Sequence, residues 1–291
     1  MSAPGPTRQA AGTWLDALAR AREDRVPAVL VTVATVRGHA PRAAGAKMVV
    51  TADGTWDSVG GGDLEAEAVT RARTMLATGA REPVALDAAL TEHAPTRHGV
   101  QCCGGEVTLL LDPVPVPPAV CVVGLGHVGA ELVRVLSRHD LDLHLVDSRE
   151  AYVAPYRRDR GGPPAALLDA RARLHPHHCP VPELGLTELP TGTHVLVMTH
   201  DHAEDVAVVD VALRTDRVAS IGLIGSAAKR SRFERRLRAE GHDDAALARV
   251  RTPVGLTDLP GKEPATIALG IAVELLRILA EQPATTPAAT R

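Results

Sequence analysis

The sequence predicts an α/β protein, with an N-terminal mixed α/β domain followed by a Rossmann-like parallel-sheet domain. Three observations carry that expectation. Val120 to Val123 is a short apolar run, Gly124-Leu-Gly-His-Val-Gly129 follows it and opens a helical pattern, and a second apolar run ends in Asp147. Strand, glycine turn, helix, strand and acid within about thirty residues make a βαβ unit. Upstream, Asp112-Pro-Val-Pro-Val-Pro-Pro118 holds four prolines in six residues, which suits a stiff linker better than a central strand or a helix. A length of 291 residues also gives a prior of about two domains. The expected division is residues 1–112 for the first domain, 113–118 for the linker, 119–282 for the Rossmann-like domain and 283–291 for a frayed Pro/Ala/Thr-rich tail.

The elements follow in order. Thr13 to Arg22 reads as a helix with Trp14, Leu15 and Leu18 on one face, and Ala28 to Val36 as a strand. Arg37-Gly-His-Ala-Pro-Arg42 through Gly45 is loop chemistry, leading to a strand at Lys47 to Thr51. Asp53-Gly54 signals a hairpin toward Trp56. Ser58-Val-Gly-Gly-Gly-Asp63 is a second glycine loop, and a helix is expected over Leu64 to Thr78. Val107 to Leu111 is the last strand of this half. Beyond the linker, strands are expected at Val120–Val123, Leu141–Val146, Val195–Thr199 and Ala219–Ile224. Helices are expected from Gly124 to about His139, at Glu204–Arg214, at Lys229–Glu240 and at Pro264–Glu281. Tyr152 to His178, rich in Arg, Pro and His, reads as loop with short helical pieces.

Composition narrows the function. The net charge of -3 and the absence of a basic block argue against a nucleic-acid surface. Aromatics are only 2%, which removes the stacking platform of a single-strand binder and leaves Ala, Val and Leu to build the core. Met1 to Ala11 has no apolar segment of a signal peptide, and no apolar run approaches the length of a membrane span. Four cysteines without a disulfide framework fit a reducing cytoplasm.

The candidate chemistry lies in the loops. Cys102 and Cys103, two of four cysteines, stand side by side in Gln101-Cys-Cys-Gly-Gly105. Adjacent residues close a disulfide only through a strained ring. Two readings of the residues remain: thiols that merely pack, or soft sulfur ligands offered to a metal or a transferable sulfur atom. In the dinucleotide-type turn, Gly124 permits the sharp bend, Gly126 lets a phosphate approach the backbone, and Gly129 allows close helix packing. The helix start offers free N–H groups and a positive dipole end, and Asp147 is placed to accept from a ribose. His127 either crowds a pyrophosphate, helps hold a different phosphate-bearing ligand, or faces solvent. Thr199-His-Asp-His-Ala-Glu-Asp205 follows a strand. His200, Asp201, His202 and Asp205 have metal-binding chemistry, while Asp201 with Glu204 also reads as a helix cap. Gly225, Ser226, Lys229 and Arg230 form either an anion cradle or a solvated basic helix face. Lys262, in Gly261-Lys-Glu-Pro264, is within reach of a neighbouring loop, and Pro264 suits a helix start.

Taken together, these segments resemble the xanthine dehydrogenase accessory family, XdhC/CoxI, over nearly the whole chain. The resemblance runs through Arg37–Arg42 with Gly45 and Lys47-Met48, Gly60-Gly-Gly-Asp-Leu-Glu65, Gln101–Gly105, Gly124–Gly129, Thr199–His202, Gly222–Ser226 with Lys229-Arg230, and Gly261–Pro264. It implies a molybdenum cofactor (molybdopterin) chaperone, an accessory protein rather than a stand-alone enzyme. Such a protein supports replacement of an oxo ligand by sulfido with a cysteine desulfurase, and passes the cofactor to the molybdenum subunit of apo-xanthine dehydrogenase. By position Cys103 aligns with the family's Cys-Gly-Gly cysteine, and Cys102 is the extra thiol of the xanthine dehydrogenase branch. Both are candidate molybdenum contacts, their thiolates favoured by cations such as Arg42 or Lys47. Gln101, Gly61, Gly62 and the loop residues above are candidate cofactor contacts. Asp63 stands where many relatives carry Cys or His, so no thiol is expected at that loop. The competing readings are an NAD(P)-dependent oxidoreductase using Gly124, Gly126, Gly129 and Asp147, which lacks a recognisable Tyr-Lys pair, and a redox- or metal-sensing module. A homodimer is the expected assembly.

Overall fold

The computed structural model describes residues 12–89, 105–157, 167–225 and 227–281, the side chains of 227–229 excepted. The chain divides into two compact units, the first ending at Val116 and the second beginning at Pro117.

The first unit opens with α1 (Trp14–Glu23). Thr13 accepts from the Asp16 backbone N–H while Asp16 accepts from that of Thr13, a reciprocal cap that fixes the helix start. Then come β1 (Ala28–Arg37), β2 (Lys47–Val50), β3 (Thr55–Asp57), α2 (Gly62–Thr78), β4 (Val84–Ala89) and β5 (Glu106–Val114). The strands form one antiparallel sheet in the order β3-β2-β1-β5-β4. Val29, Val31 and Val33 of β1 join Met48, Val50, Leu109 and Leu111 under Leu64, Ala68, Ala72 and Met75 of α2. Ala28, Leu30 and Val49 meet Ala17, Leu18 and Ala21 of α1. Both faces of β1 are covered, which is why its sequence is apolar at successive positions.

Two expectations are corrected here. Strand β5 runs through Asp112, Pro113 and Val114, so the proline-rich segment begins as strand. Pro113 sits opposite Val29 of β1, while β4 pairs no farther than Leu111. Among the described residues β5 has a neighbour on one side only past that point, where the missing proline N–H costs little. Strand β4 was not expected, because Val-Ala-Leu-Asp-Ala-Ala89 is poor in strand formers.

The second unit comprises β6 (Ala119–Val123), α3 (His127–Leu136), β7 (Asp142–Asp147), α4 (Glu150–Val153), β8 (Arg173–His178), β9 (Thr193–Val197), α5 (His202–Arg214), β10 (Val218–Leu223), α6 (Ala227–Ala239), α7 (Asp244–Ala248), β11 (Val250–Arg251) and α8 (Pro264–Glu281). All its ladders are parallel, in the order β11-β10-β9-β6-β7-β8. Counted from β6 this is the 3-2-1-4-5-6 arrangement of dinucleotide-binding sheets, whose order reverses between β6 and β9. Leu132 and Leu136 of α3 and Ile271 and Leu275 of α8 cover one face, over Val120, Val122, Leu143 and Leu145. Val208, Val209 and Ala212 of α5 cover the other, over Cys121, Val123, Val195 and Ile221.

Strand β8 overturns the reading of Tyr152–His178 as loop with helical pieces only. Its Arg-Leu-His-Pro-His-His sequence hides the strand, and its place at the sheet edge tolerates Pro176. The pairing stacks His144 of β7 against His175 and His177, with ring centroids 4.6 and 5.5 Å apart and planes within 13° and 11°. Burial first, and the neighbouring His175 next, push His177 below the ordinary imidazole range. The folded form therefore binds this proton less readily than the unfolded chain does. Its contribution to stability is complete above about pH 6.5 and is lost as the pH falls below that value. Replacing His177 by Gln is expected to flatten the acid side of a plot of urea midpoint against pH; an unchanged slope refutes the assignment.

Candidate functional site

The glycine turn after β6 separates its three glycines by what surrounds them. Gly124 has φ +101°, and a Cβ there would fall 2.3 Å from the Met198 carbonyl oxygen. A Cβ at Gly129 would lie 2.0 Å from the Gly124 oxygen. No side chain fits at either position, so the protein's own packing demands both. Gly126 is different. Its φ is -65°, and a Cβ there would meet nothing within 4 Å. The backbone at the N-cap of α3 is thus open to an approaching group. His127 is the exposed first residue of α3.

Asp147 ends β7 with its carboxylate buried. Oδ2 accepts from Leu125 N at 2.7 Å and from Arg149 Nη2 at 2.9 Å. Oδ1 accepts from Arg149 N and Nε, each at 2.9 Å. Burial pushes this carboxyl up, but the bonds from Arg149 and Leu125 outweigh it and hold it below the ordinary carboxylate range. Four donors fill the lone-pair positions of a carboxylate, so no acceptor site is left for a ribose hydroxyl. The Arg149 guanidinium in turn lies 3.7 Å from the centroid of the Tyr152 ring.

The loop after β9 is built around a second buried acid. Asp205 Oδ1 accepts from Thr199 N at 3.1 Å and Thr199 Oγ1 at 2.7 Å, and His202 Nδ1 lies 3.4 Å from Oδ2. Burial still pushes Asp205 above the ordinary range. Asp201 caps α5 by accepting from Ala203 N at 2.7 Å, and His200 lies 3.6 Å from Glu204. Among the described residues no group of three or more His, Cys, Asp or Glu is arranged to hold a metal ion. Asp201 thus caps the helix start and Asp205 holds the loop through Thr199, while His200 and His202 stand beside Glu204 and Asp205. Gly225 lies in the turn after β10, Arg230 bonds Glu234 and the Thr252 carbonyl, and Lys262 is exposed just before α8. Ser226 and the side chain of Lys229 lie outside the described residues.

In the first unit three of the singled-out segments meet. Gly105, which leads into β5, is pressed on the loop after β1: a Cβ there would fall 2.2 Å from the His39 oxygen and 2.8 Å from the Arg37 oxygen. At Gly60, with φ +136°, a Cβ would lie 2.7 Å from Pro41 Cγ of that same loop. Glu65 on α2 reaches back and gathers the glycine loop. Its Oε2 accepts from Ser58 Oγ, from Val59 N at 3.2 Å and from Gly61 N at 3.0 Å. Gly61 and Gly62 have φ +72° and +62°, with nothing within 4 Å of a Cβ at either. Arg42, next in sequence to Pro41, is exposed, and Lys47 Nζ lies 5.7 Å from the centroid of the Trp14 ring. Gln101, Cys102 and Cys103 lie outside the described residues. Glu65, Arg149 and Tyr152 are the residues that sequence reasoning did not single out as functional. An acid three residues after the last of three glycines, and an Arg two residues after the strand-end acid, were the available signals.

The profile of the XdhC Rossmann domain matches residues 120–275, and that of the XdhC and CoxI family matches residues 21–87. The chain belongs to the XdhC family. It is 24% identical over 261 residues to the uncharacterized protein YqeB of Escherichia coli K12, covering 89% of this chain and 45% of YqeB. It is 26% identical over 274 residues to the molybdenum cofactor insertion chaperone PaoD of the same organism, covering 88% of this chain and 84% of PaoD. The XdhC-family chain thus spans less than half of YqeB and most of PaoD. A crystal structure of a xanthine dehydrogenase from Bacillus halodurans aligns with TM-score 0.45 and 18% identity, over 95% of this chain and 98% of that one. The two matched ranges hold the glycine loop and the dinucleotide-type turn, and Gln101, Cys102 and Cys103 fall between them.

The glycines make a direct test. Gly129→Ala is expected to cost about 2 kcal/mol or more, because backbone has to move to admit the methyl group. Gly126→Ala should leave the urea midpoint within about 0.5 kcal/mol of the parent. Equal losses at the two positions, measured by chemical denaturation, would contradict the open backbone at Gly126.

Proposed function

We propose that this XdhC-family chain is a molybdenum cofactor chaperone that supports cofactor sulfuration and insertion into xanthine dehydrogenase. The observation that carries the reading is the meeting of the Arg37–Arg42, Ser58–Gly62 and Gly105 segments at one corner of the first unit. Similarity to PaoD along 88% of the chain supports the same class. Cys103 stands two residues before Gly105 in the sequence. Soft sulfur suits a molybdenum centre. The proposed contacts there are Cys102, Cys103, Gln101 and Arg42, with the open backbone of Gly61 and Gly62 alongside.

A cofactor of this kind also carries a phosphate. In the second unit, the turn at Gly124, Gly126 and Gly129 has the chemistry to take an anionic group, with donors at a helix start and no side chain over Gly126. The same reading makes an apo-xanthine dehydrogenase molybdenum subunit and a cysteine desulfurase the partners, and places a homodimer in the cytoplasm. No described helix is long and apolar enough to cross a membrane. An NAD-dependent oxidoreductase is the weaker reading, because the acid that would hold the ribose is already fully bonded within the protein.

The test is retention and transfer. Purified protein mixed with molybdenum cofactor is expected to carry molybdenum through gel filtration and to raise sulfido-dependent activity in apo-xanthine dehydrogenase. Changing Cys102 and Cys103 together to Ala should abolish both, with the urea midpoint unchanged. Full retention and activation by the double variant would remove the cysteines from the site, and failure of the parent to retain cofactor would end the chaperone reading.

A further inference from the structure

We infer that Arg149 is a specificity-determining residue of the Rossmann unit, and that it selects a ligand ending in a phosphomonoester over one offering a bare ribose diol. The inference deepens the anion-binding part of the function proposed above. Its test reads ligand preference rather than molybdenum retention, so either reading can fail alone.

Leu125 N and Arg149 Nη2 both donate to Asp147 Oδ2, at 2.7 and 2.9 Å. The guanidinium is therefore held on the same oxygen as Leu125, whose neighbour in sequence is the open backbone of Gly126. A guanidinium has five N–H groups in a fixed plane. Arg149 directs Nε and one Nη2 hydrogen at Asp147, which turns the Nη1 edge away from the acid. The flat face rests on Tyr152 at 3.7 Å from the ring centroid, and the side chain keeps 30% exposure. A planar cation pinned on one edge and one face, with its other edge turned outward, has the geometry for paired N–H bonds to a phosphate.

The same pairing closes the competing chemistry. A strand-end acid recognises a ribose diol by accepting its hydroxyl protons, whereas an Arg nearby accommodates a ribose phosphate. Here the acid is saturated by the Arg itself, so one ion pair removes the diol acceptor and supplies the phosphate donor. Glu204 is the opposing charge: it acts on Arg149 from the start of α5 and lies 3.6 Å from His200.

The shared chemistry, a phosphomonoester, can come from the ribose phosphate of NADP+ or from the terminal phosphate of the pterin cofactor. Titrating the full-length protein with NADP+, NAD+ and purified molybdenum cofactor distinguishes them. NADP+ binding about tenfold or more tighter than NAD+, with Arg149→Gln erasing or reversing that ratio, supports the inference with a dinucleotide source. Cofactor binding without dinucleotide binding, lost in Arg149→Gln, supports it with the pterin source. Tyr152→Ala leaves the Asp147–Arg149 pair in place and should weaken the same ligand several-fold without lowering the melting temperature; it carries the test if Arg149→Gln does not fold. Glu204→Gln should tighten the ligand. NAD+ binding as well as NADP+, an affinity indifferent to both Arg149→Gln and Tyr152→Ala, or no binding of any of the three probes overturns the inference.

Discussion

The carboxylate of Asp147 locks the second unit's turn to its sheet. It lies at the end of β7, yet one of its bonds goes to Leu125, in the turn that follows β6. The turn cannot relax away from that strand without stranding a buried charge. Because Gly124 and Gly129 are pressed against backbone on either side, the position of α3 follows from the same lock. Everything that the open N-cap at Gly126 can do depends on this one acid remaining ionised and bonded.

The first unit solves a similar problem with Glu65. There an acid on the helix gathers the preceding glycine loop through three donors on a single oxygen. Three glycines in succession, all at positive φ, would otherwise leave that loop with many conformations. In both units a glycine-rich segment is kept in one shape by a carboxylate outside it, so the glycines supply access while the acid supplies order. The two loops differ in what borders them: Pro41 and its neighbours at one, Arg149 and Tyr152 at the other.

Much of this was legible in the sequence for identifiable reasons. The apolar strand runs and the glycine turns are local signals, and each agreed with its tertiary setting. Strand β8 was not legible, because a Pro and four polar residues can form a strand only where a partner strand already stands. Pro113 misled for the same reason: its tolerance depends on β4 ending early, which no local pattern shows. At the site, the glycines announced themselves, but the saturation of Asp147 did not. That depends on how a side chain two residues away folds back, and spacing alone does not encode the direction of a guanidinium.

The near-absence of aromatic residues has a practical consequence. The two tryptophans, Trp14 and Trp56, both belong to the first unit and sit in its small α1-side cluster. Indole emission therefore watches only the front half of the molecule. The rear half, with Tyr152, Tyr156 and Phe233 as its only rings of that class, melts unseen by that probe and visibly in the far-ultraviolet dichroism. The chain thus carries a built-in optical label for one half, and a gap between the two signals would time the loss of one half against the other.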